Sequence, residues 1–342
     1  MNEELLNLFE QIARLVLDIQ FLVSIVGFIL TLPHLFILTR KSMRTSSTNS
    51  IMTGIAIIDL VVLLQVILER GLWFLTHDSP CINLHSFIFE MFFWIGDFLR
   101  DTGERASFWM GVFLVLVRLL ITKIPESTER LSSYAFGYLI FILMLTVHSL
   151  ISYSYYREYH LEDSTWLPGE ECTEYPEGYI EKGYIRNVQD QDNYSAIIED
   201  YKFNDGMSKI LISILYPVLA IFLIFDIRKS ARIASAAHSE KNAKERYHSG
   251  RMILLMTIFY TITSAPGGIS DFIQIYCQVP THSIMTIIIA YGSIFLSALF
   301  CLNSASHCLI NFSMSTNYRK AAKMVFFANR KQMNTSVLPI NF

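Results

Sequence analysis

Seven long apolar runs recur along the 342 residues of the chain, and they constrain its fold more than any other feature. A helix needs about 20 apolar residues to cross a bilayer, and the shorter runs reach this length with their flanks. Backbone inside lipid is satisfied only in helices or closed barrels, and these runs lack the alternation of strands. The sequence therefore predicts an all-α membrane protein, a seven-transmembrane helix bundle, with helices at 19–39, 51–68, 106–122, 131–156, 210–225, 252–270 and 283–312.

The positions of Lys and Arg predict how these helices are oriented. Short loops rich in Lys and Arg stay in the cytosol, and here they follow the first helix and the fifth helix and form the C-terminal tail. We therefore expect a multi-pass plasma membrane protein with its N-terminus outside. The expected parts are an extracellular segment at 1–14, a seven-helix domain at 15–312 with a cytoplasmic loop at 228–250, and a cytoplasmic segment at 313–342. Because the basic residues lie only in short segments between apolar runs, nucleic-acid binding is not expected.

The predicted outer loop, residues 157–205, has the opposite charge. It holds thirteen acidic residues against four basic ones, so it should attract cations from solution, although such a run is more often a solvated surface. It also contains Asn193-Tyr194-Ser195, an acceptor sequence for N-glycosylation on an outer face.

Three cysteines, Cys81, Cys172 and Cys277, fall in outer segments, where disulfides form. We favour a disulfide between Cys81 and Cys172, which would join the top of the third helix to the outer loop. A pairing that uses Cys277, or free thiols, remains the alternative.

Asp59 is a single carboxylate within the second apolar run, GIAIIDLVVLLQVIL. A charge at this depth costs roughly 2.5–3.5 kcal/mol on insertion scales, so it usually has a partner. Asn303 and His307 are four residues apart in the seventh run and share a helix face. We predict a buried network of Asp59, Asn303 and His307 with water or a cation, for which a sodium ion near Asp59 is the candidate. The alternative is a purely structural hydrogen bond between the two helices.

The third run carries charges at both ends. Arg118 lies just inside its cytosolic end, where snorkelling to the headgroups is the alternative to a function. Near the outer end, Arg105 lies 13 residues earlier, about 20 Å away along a helix. Four-residue spacing also predicts pairs on the helix surface, such as Asp101 with Arg105. The candidate ligand-binding residues are Arg105, Glu104, Asp101, Asp271 and Tyr291, and Pro266 is a candidate hinge whose alternative is a static bend.

These residues lie in stretches that together resemble a rhodopsin-like G-protein-coupled receptor. More narrowly, the chain resembles the nematode serpentine chemoreceptor class W, which is similar to FMRFamide-type neuropeptide receptors. The resemblance covers nearly the whole chain in order and is carried by HLFILTRKSMRTSSTNSIMTGIAIIDL, RASFWMGVFLVLVRLLITKIP, FYTITSAPGGIS and NSASHCLINFSMSTNYRK, which begin at residues 34, 105, 259 and 303.

The resemblance implies roles for several of these residues. Asp59 takes the place of the aspartate that binds sodium, and Arg118 takes the place of the arginine that engages the G protein. The run from Asn303 to His307 replaces N-P-x-x-Y, and Tyr318 would open a short amphipathic eighth helix. One departure is Val117, which stands where an acid commonly precedes the arginine.

The function implied is that of a receptor, not an enzyme, which transduces an extracellular ligand to heterotrimeric G proteins. An amidated, cationic neuropeptide fits the acidic outer loop, and a small odorant is the alternative. A multi-pass transporter is the hypothesis from another class, but the two halves show no repeat of the kind that transporters contain. The seventh run has no lysine, which excludes a retinal Schiff base.

Overall fold

The computed structural model of the chain describes residues 3–77, 81–124, 128–169, 171–188, 191–236, 240–277, 283–314 and 316–333. In this part of the chain the helices and strands are, in order, α1 Glu3–Leu38, α2 Ser47–His77, α3 Phe87–Lys123, α4 Thr128–Ser132, α5 Tyr134–Tyr156, β1 Tyr159–Trp166, β2 Glu181–Val188, α6 Gln191–Ala236, α7 Glu240–Tyr276, α8 Ile284–Met314 and α9 Thr316–Met333.

The seven predicted membrane runs lie in α1, α2, α3, α5, α6, α7 and α8, which pack into one bundle. Among the described residues, all of these helices except α7 are long and apolar enough to span a bilayer by length and composition alone. The outer half of α7 is less apolar because it contains Pro266, two glycines and Asp271. Since α7 packs between α6 and α8, it completes the predicted bundle.

The bundle is apolar on its outside and partly polar within, as lipid requires. Leu15, Leu22 and Ile29 form an exposed apolar stripe on α1, and similar residues face outward on α5 and α6. Asp59 and Asn303 are completely buried instead. This distribution keeps these polar side chains inside the protein and leaves apolar side chains for the hydrocarbon core.

Three segments that we expected to lie outside the membrane helices are largely helical where the structure describes them. Residues 3–14 belong to α1, residues 191–205 form the first turns of α6, and within the expected inner loop residues 228–236 belong to α6 and residues 240–250 to α7. These stretches contain no Pro, and Gly250 is their only glycine. Because nothing in them stops a helix, the membrane helices continue into water.

The remainder of the outer loop forms an antiparallel hairpin, in which Tyr159 of β1 pairs with Val188 of β2. The structure contains the disulfide that we favoured, between Cys81 and Cys172, with Cα atoms 5.5 Å apart. The backbone N–H of Tyr184 donates to the carbonyl of His85 at 2.7 Å. These two links fasten the hairpin to the segment just before α3.

Arg186 of β2 adds a link to α3 itself. Its guanidinium contacts Asp97 at 2.8 Å and Glu90 at 3.5 Å. Partial burial alone would lower the pKa of Arg186, but the hydrogen bond and charge of Asp97 and the charge of Glu90 raise it instead. Arg186 therefore ties β2 to two acidic side chains of α3.

Candidate functional site

A cavity of about 1090 Å³ opens between α1, α2, α3, α6, α7 and α8. Its volume reaches the upper end of the range for small-molecule sites, about 300–1,000 Å³. Its floor is apolar and includes Phe108 and Phe300, while charged side chains lie along its walls. The charged lining residues are Glu69, Arg70, Arg100, Asp101, Glu104, Lys209 and Asp271.

Three of the five predicted ligand-binding residues, Asp101, Glu104 and Asp271, line this cavity. Arg105 does not, because it is buried and its guanidinium donates to Ser152, to the hydroxyl of Tyr201 and to Asp205. Its two terminal nitrogens are thus bonded within the protein, while Nε is buried without a hydrogen-bond partner among the described residues, so the side chain supports the wall rather than meeting a ligand.

Tyr291 also lies away from the cavity lining. Its ring stacks on Phe9 of α1 with centroids 5.7 Å apart. It therefore joins α8 to the N-terminal part of α1, the segment that we expect to be extracellular.

The charges along the walls pair across helices. Arg100 on α3 lies between Glu69 of α2 at 3.2 Å and Glu104 on its own helix at 3.7 Å. Lys209 on α6 lies between Asp205 at 2.6 Å and Asp271 of α7 at 3.0 Å. Our sequence reasoning overlooked Lys209, although a lysine at the edge of an apolar run was a usable signal.

Asp101 is held by hydroxyl groups. Tyr156 donates to it at 2.7 Å and Tyr201 at 2.9 Å, and among the described residues it forms no ion pair. The lining thus has four carboxylates against three cations, and among the described residues both Asp101 on α3 and Arg70 on α2 lack an ion-pair partner.

Asp59 and His307 meet in the core of the bundle. Ser304 donates to one carboxylate oxygen of Asp59 at 3.0 Å, and Nδ1 of His307 contacts the other at 2.7 Å. The imidazole stacks on Tyr260 of α7, whose hydroxyl lies 3.4 Å from Nε2. The predicted contact between the second and seventh membrane helices is therefore present, and it extends to the sixth.

Asn303 is buried in the same region, but its role differs from the predicted one. Among the described residues, both of its amide atoms and the Oγ of Ser107 lack a hydrogen bond of normal geometry, and both residues lie beside the Tyr260 hydroxyl. With the Asp59 carboxylate, these oxygens are hard ligands of the kind a sodium ion prefers. The residues fit such an ion, which would balance the charge of Asp59.

Arg118 lies near the end of α3 that we predict to face the cytosol, and its side chain points into the protein. Its Nη1 is buried and has no hydrogen-bond partner in the described part of the chain, and Tyr216 of α6 lies beside it. This placement disagrees with snorkelling to the headgroups. The nearby ion pair between Lys123 and Asp226, at 2.9 Å, joins α3 to α6.

Pro266 lies within α7 and lines the cavity. Near the C-terminal end of the bundle, Tyr318 on α9 contacts Nδ1 of His34 at 2.8 Å, which fixes this predicted eighth helix against α1. Asn193 is exposed in the first turn of α6.

A seven-helix membrane bundle with a cavity between its helices and a buried polar core is the architecture of a G-protein-coupled receptor. The family model for the serpentine type 7TM GPCR chemoreceptor Srw matches residues 18–329 of this chain. The chain belongs to this family, a class of receptors and not of enzymes. A comparison with curated proteins found no match.

The match confirms the resemblance to the class W chemoreceptors and the prediction of a multi-pass membrane receptor. Membership implies an extracellular ligand and coupling to a G protein. The likeness to neuropeptide receptors stays a prediction.

Proposed function

We propose that this receptor binds an amidated, cationic peptide in the cavity between its helices and transmits the signal to a heterotrimeric G protein in the cytosol. The observation that carries the proposal is the charge of the cavity wall. Asp101 has no cation partner among the described residues, and Glu104 shares Arg100 with Glu69. A ligand with a guanidinium or ammonium group would complete this set of charges.

The proposed topology has the N-terminus and the hairpin outside and Arg118 facing the cytosol. Ligand binding shifts the population toward a packing in which α7 moves at its Pro266 bend and opens the surface around Arg118. A ligand can do this only through contacts that differ between the two packings.

A small odorant is the second candidate, and it is favoured by the chemoreceptor description of the family. A panel of amidated peptides with and without Arg, together with neutral odorants, distinguishes the two. Binding of labelled GTP analogue to membranes that carry the full chain and G protein is the readout. Activation by Arg-containing peptides alone supports the proposal, and activation by odorants alone contradicts it.

The variant Glu104→Gln tests the site within the same assay. It should reduce peptide potency about tenfold, because a hydrogen bond between charged groups contributes about 1.5–3 kcal/mol. Glu10→Gln is the matched control, since Glu10 pairs with Arg14 on the exposed face of α1. Equal potency shifts in both variants would show that Glu104 does not bind the peptide.

A further inference from the structure

α6 and α7 approach each other closely at Gly206 and Gly268, where backbone atoms as well as side chains are in contact. A Cβ atom placed on Gly268 would lie 3.0 Å from the carbonyl oxygen of Gly206, and one on Gly206 would lie 3.3 Å from that of Gly268. Such distances are tighter than ordinary contacts, so any larger residue would push the two helices apart. This contact begins two residues after Pro266.

An ion pair crosses the same contact. Nζ of Lys209 lies 3.0 Å from Asp271, and both side chains line the cavity with 25% and 15% of their surface exposed. Gly267 and Gly268 leave room for the Lys209 side chain to pass, because Cβ atoms at these positions would lie 3.3 Å and 3.0 Å from it. A ligand in the cavity can therefore reach the pair that holds α6 to α7.

The two carboxylates that share Lys209 are not equivalent. Asp205 also receives Arg105 at 2.9 Å, whereas Asp271 has no other ion-pair partner among the described residues. Asp205 lies one turn before Lys209 on the same helix, at 2.6 Å from Nζ. If another cation pairs with Asp271, Lys209 still pairs with Asp205. The ion pair between the two helices can therefore be broken without leaving either charge unpaired.

We propose that the Lys209–Asp271 ion pair is a latch that holds α6 against α7 in the ligand-free receptor, and that a cationic group of the ligand releases it by taking Asp271. The inference rests on the proposed function, since it assigns the trigger within the same cavity. It makes Asp271 the residue that selects for positive charge, and it places the first movement beside the Pro266 bend.

The experiment measures ligand-free signalling, so no ligand is needed. Lys209→Gln and Asp271→Asn should each raise basal binding of labelled GTP analogue about threefold to tenfold at matched surface expression. The reason is that a partly buried ion pair between helices stabilises their packing more than an exposed ion pair does. The exchanged pair Lys209→Asp with Asp271→Lys should return the basal rate to that of the natural chain. Gly268→Ala should raise it without any change of charge.

Lys202→Gln is the matched control. Lys202 also spans α6 and α7, through a 3.0 Å hydrogen bond to Gln274, but it forms no ion pair with a described residue. Its basal rate should not change. Unchanged rates for Lys209→Gln and Asp271→Asn, or an exchanged pair that stays activated, would overturn the latch.

A second readout does not depend on the G protein. Phe203 and Phe272 are in ring contact across the two helices, with centroids 5.9 Å apart. Both phenylalanines are replaced by Cys, and Cys277→Ser removes the exposed free thiol. A short bismaleimide should then cross-link the receptor that keeps Lys209 faster than the receptor that also carries Lys209→Gln. If Lys209→Gln slows cross-linking but no membrane shows G-protein activation, the latch is supported and the proposed function is contradicted. If cross-linking rates are equal with and without Lys209→Gln, the latch alone is overturned.

Discussion

Replacing Asp59 and His307 singly and together tests whether their contact is an ionised pair. Asp59 is fully buried; it accepts a hydrogen bond from Ser304 at 3.0 Å, and its other oxygen lies 2.7 Å from Nδ1 of His307. Removing one partner of a buried pair costs about 3–5 kcal/mol, because the other is left without compensation. We expect that loss of stability from Asp59→Ala and a similar one from His307→Ala.

The coupling energy between the two substitutions distinguishes the kinds of contact. An ordinary hydrogen bond between membrane helices contributes about 0.6 kcal/mol on average and about 1.7 at most. A bond to an ionised group contributes about 1.5–3 kcal/mol. Because the 2.7 Å contact joins a carboxylate to an imidazole without water, we expect a coupling energy in the second range.

The assay is equilibrium unfolding of the purified receptor in bicelles, titrated with SDS, for the natural chain, both single variants and the double variant. Gln20→Ala with Ser297→Ala is the matched control, since Gln20 donates to Ser297 between α1 and α8 at 2.8 Å without charge. A coupling energy for Asp59 and His307 no larger than that of the control would refute the ionised pair.

Four further predictions concern the other sites. Arg118→Ala should abolish G-protein activation at normal surface expression, and normal signalling would remove its proposed role. Asp59→Asn should weaken the effect of sodium on basal signalling, and an unchanged effect would favour a purely structural bond. Asn193→Gln should remove one glycan, seen as faster gel migration, and equal migration would show that the site is not used. Arg105→Ala should lower surface expression several-fold, because Asp205 loses a partner buried beside it, whereas a change in peptide potency alone would return Arg105 to the ligand site.

The part of the core that holds Asp59 and His307 could be predicted from sequence for a physical reason. Lipid forces polar side chains inward, and a four-residue spacing fixes which ones share a face. Two constraints on each helix were therefore enough to bring the carboxylate and the imidazole together. The same reasoning did not place Asn303, whose amide lies beside Tyr260 rather than on Asp59.

The upper cavity was harder to predict because spacing does not fix how a helix is rotated against its neighbours. Arg105 and Glu104 are adjacent in sequence, but Glu104 lines the cavity while Arg105 turns to Asp205 of α6. That partner lies 100 residues further along the chain. The loop boundaries failed for a different reason, since hydropathy marks where lipid ends but not where a helix ends in water.

The continuity of α7 turns a small event at one end into a large one at the other. From Pro266 back to Glu240 the helix continues for 26 residue steps, or about 39 Å at 1.5 Å per residue. A tilt of about 5° at the Pro266 bend would carry the far end of this segment about 3.4 Å. Leverage of this kind lets the exchange of a single ion pair become a displacement as wide as a side chain on the far side of the membrane.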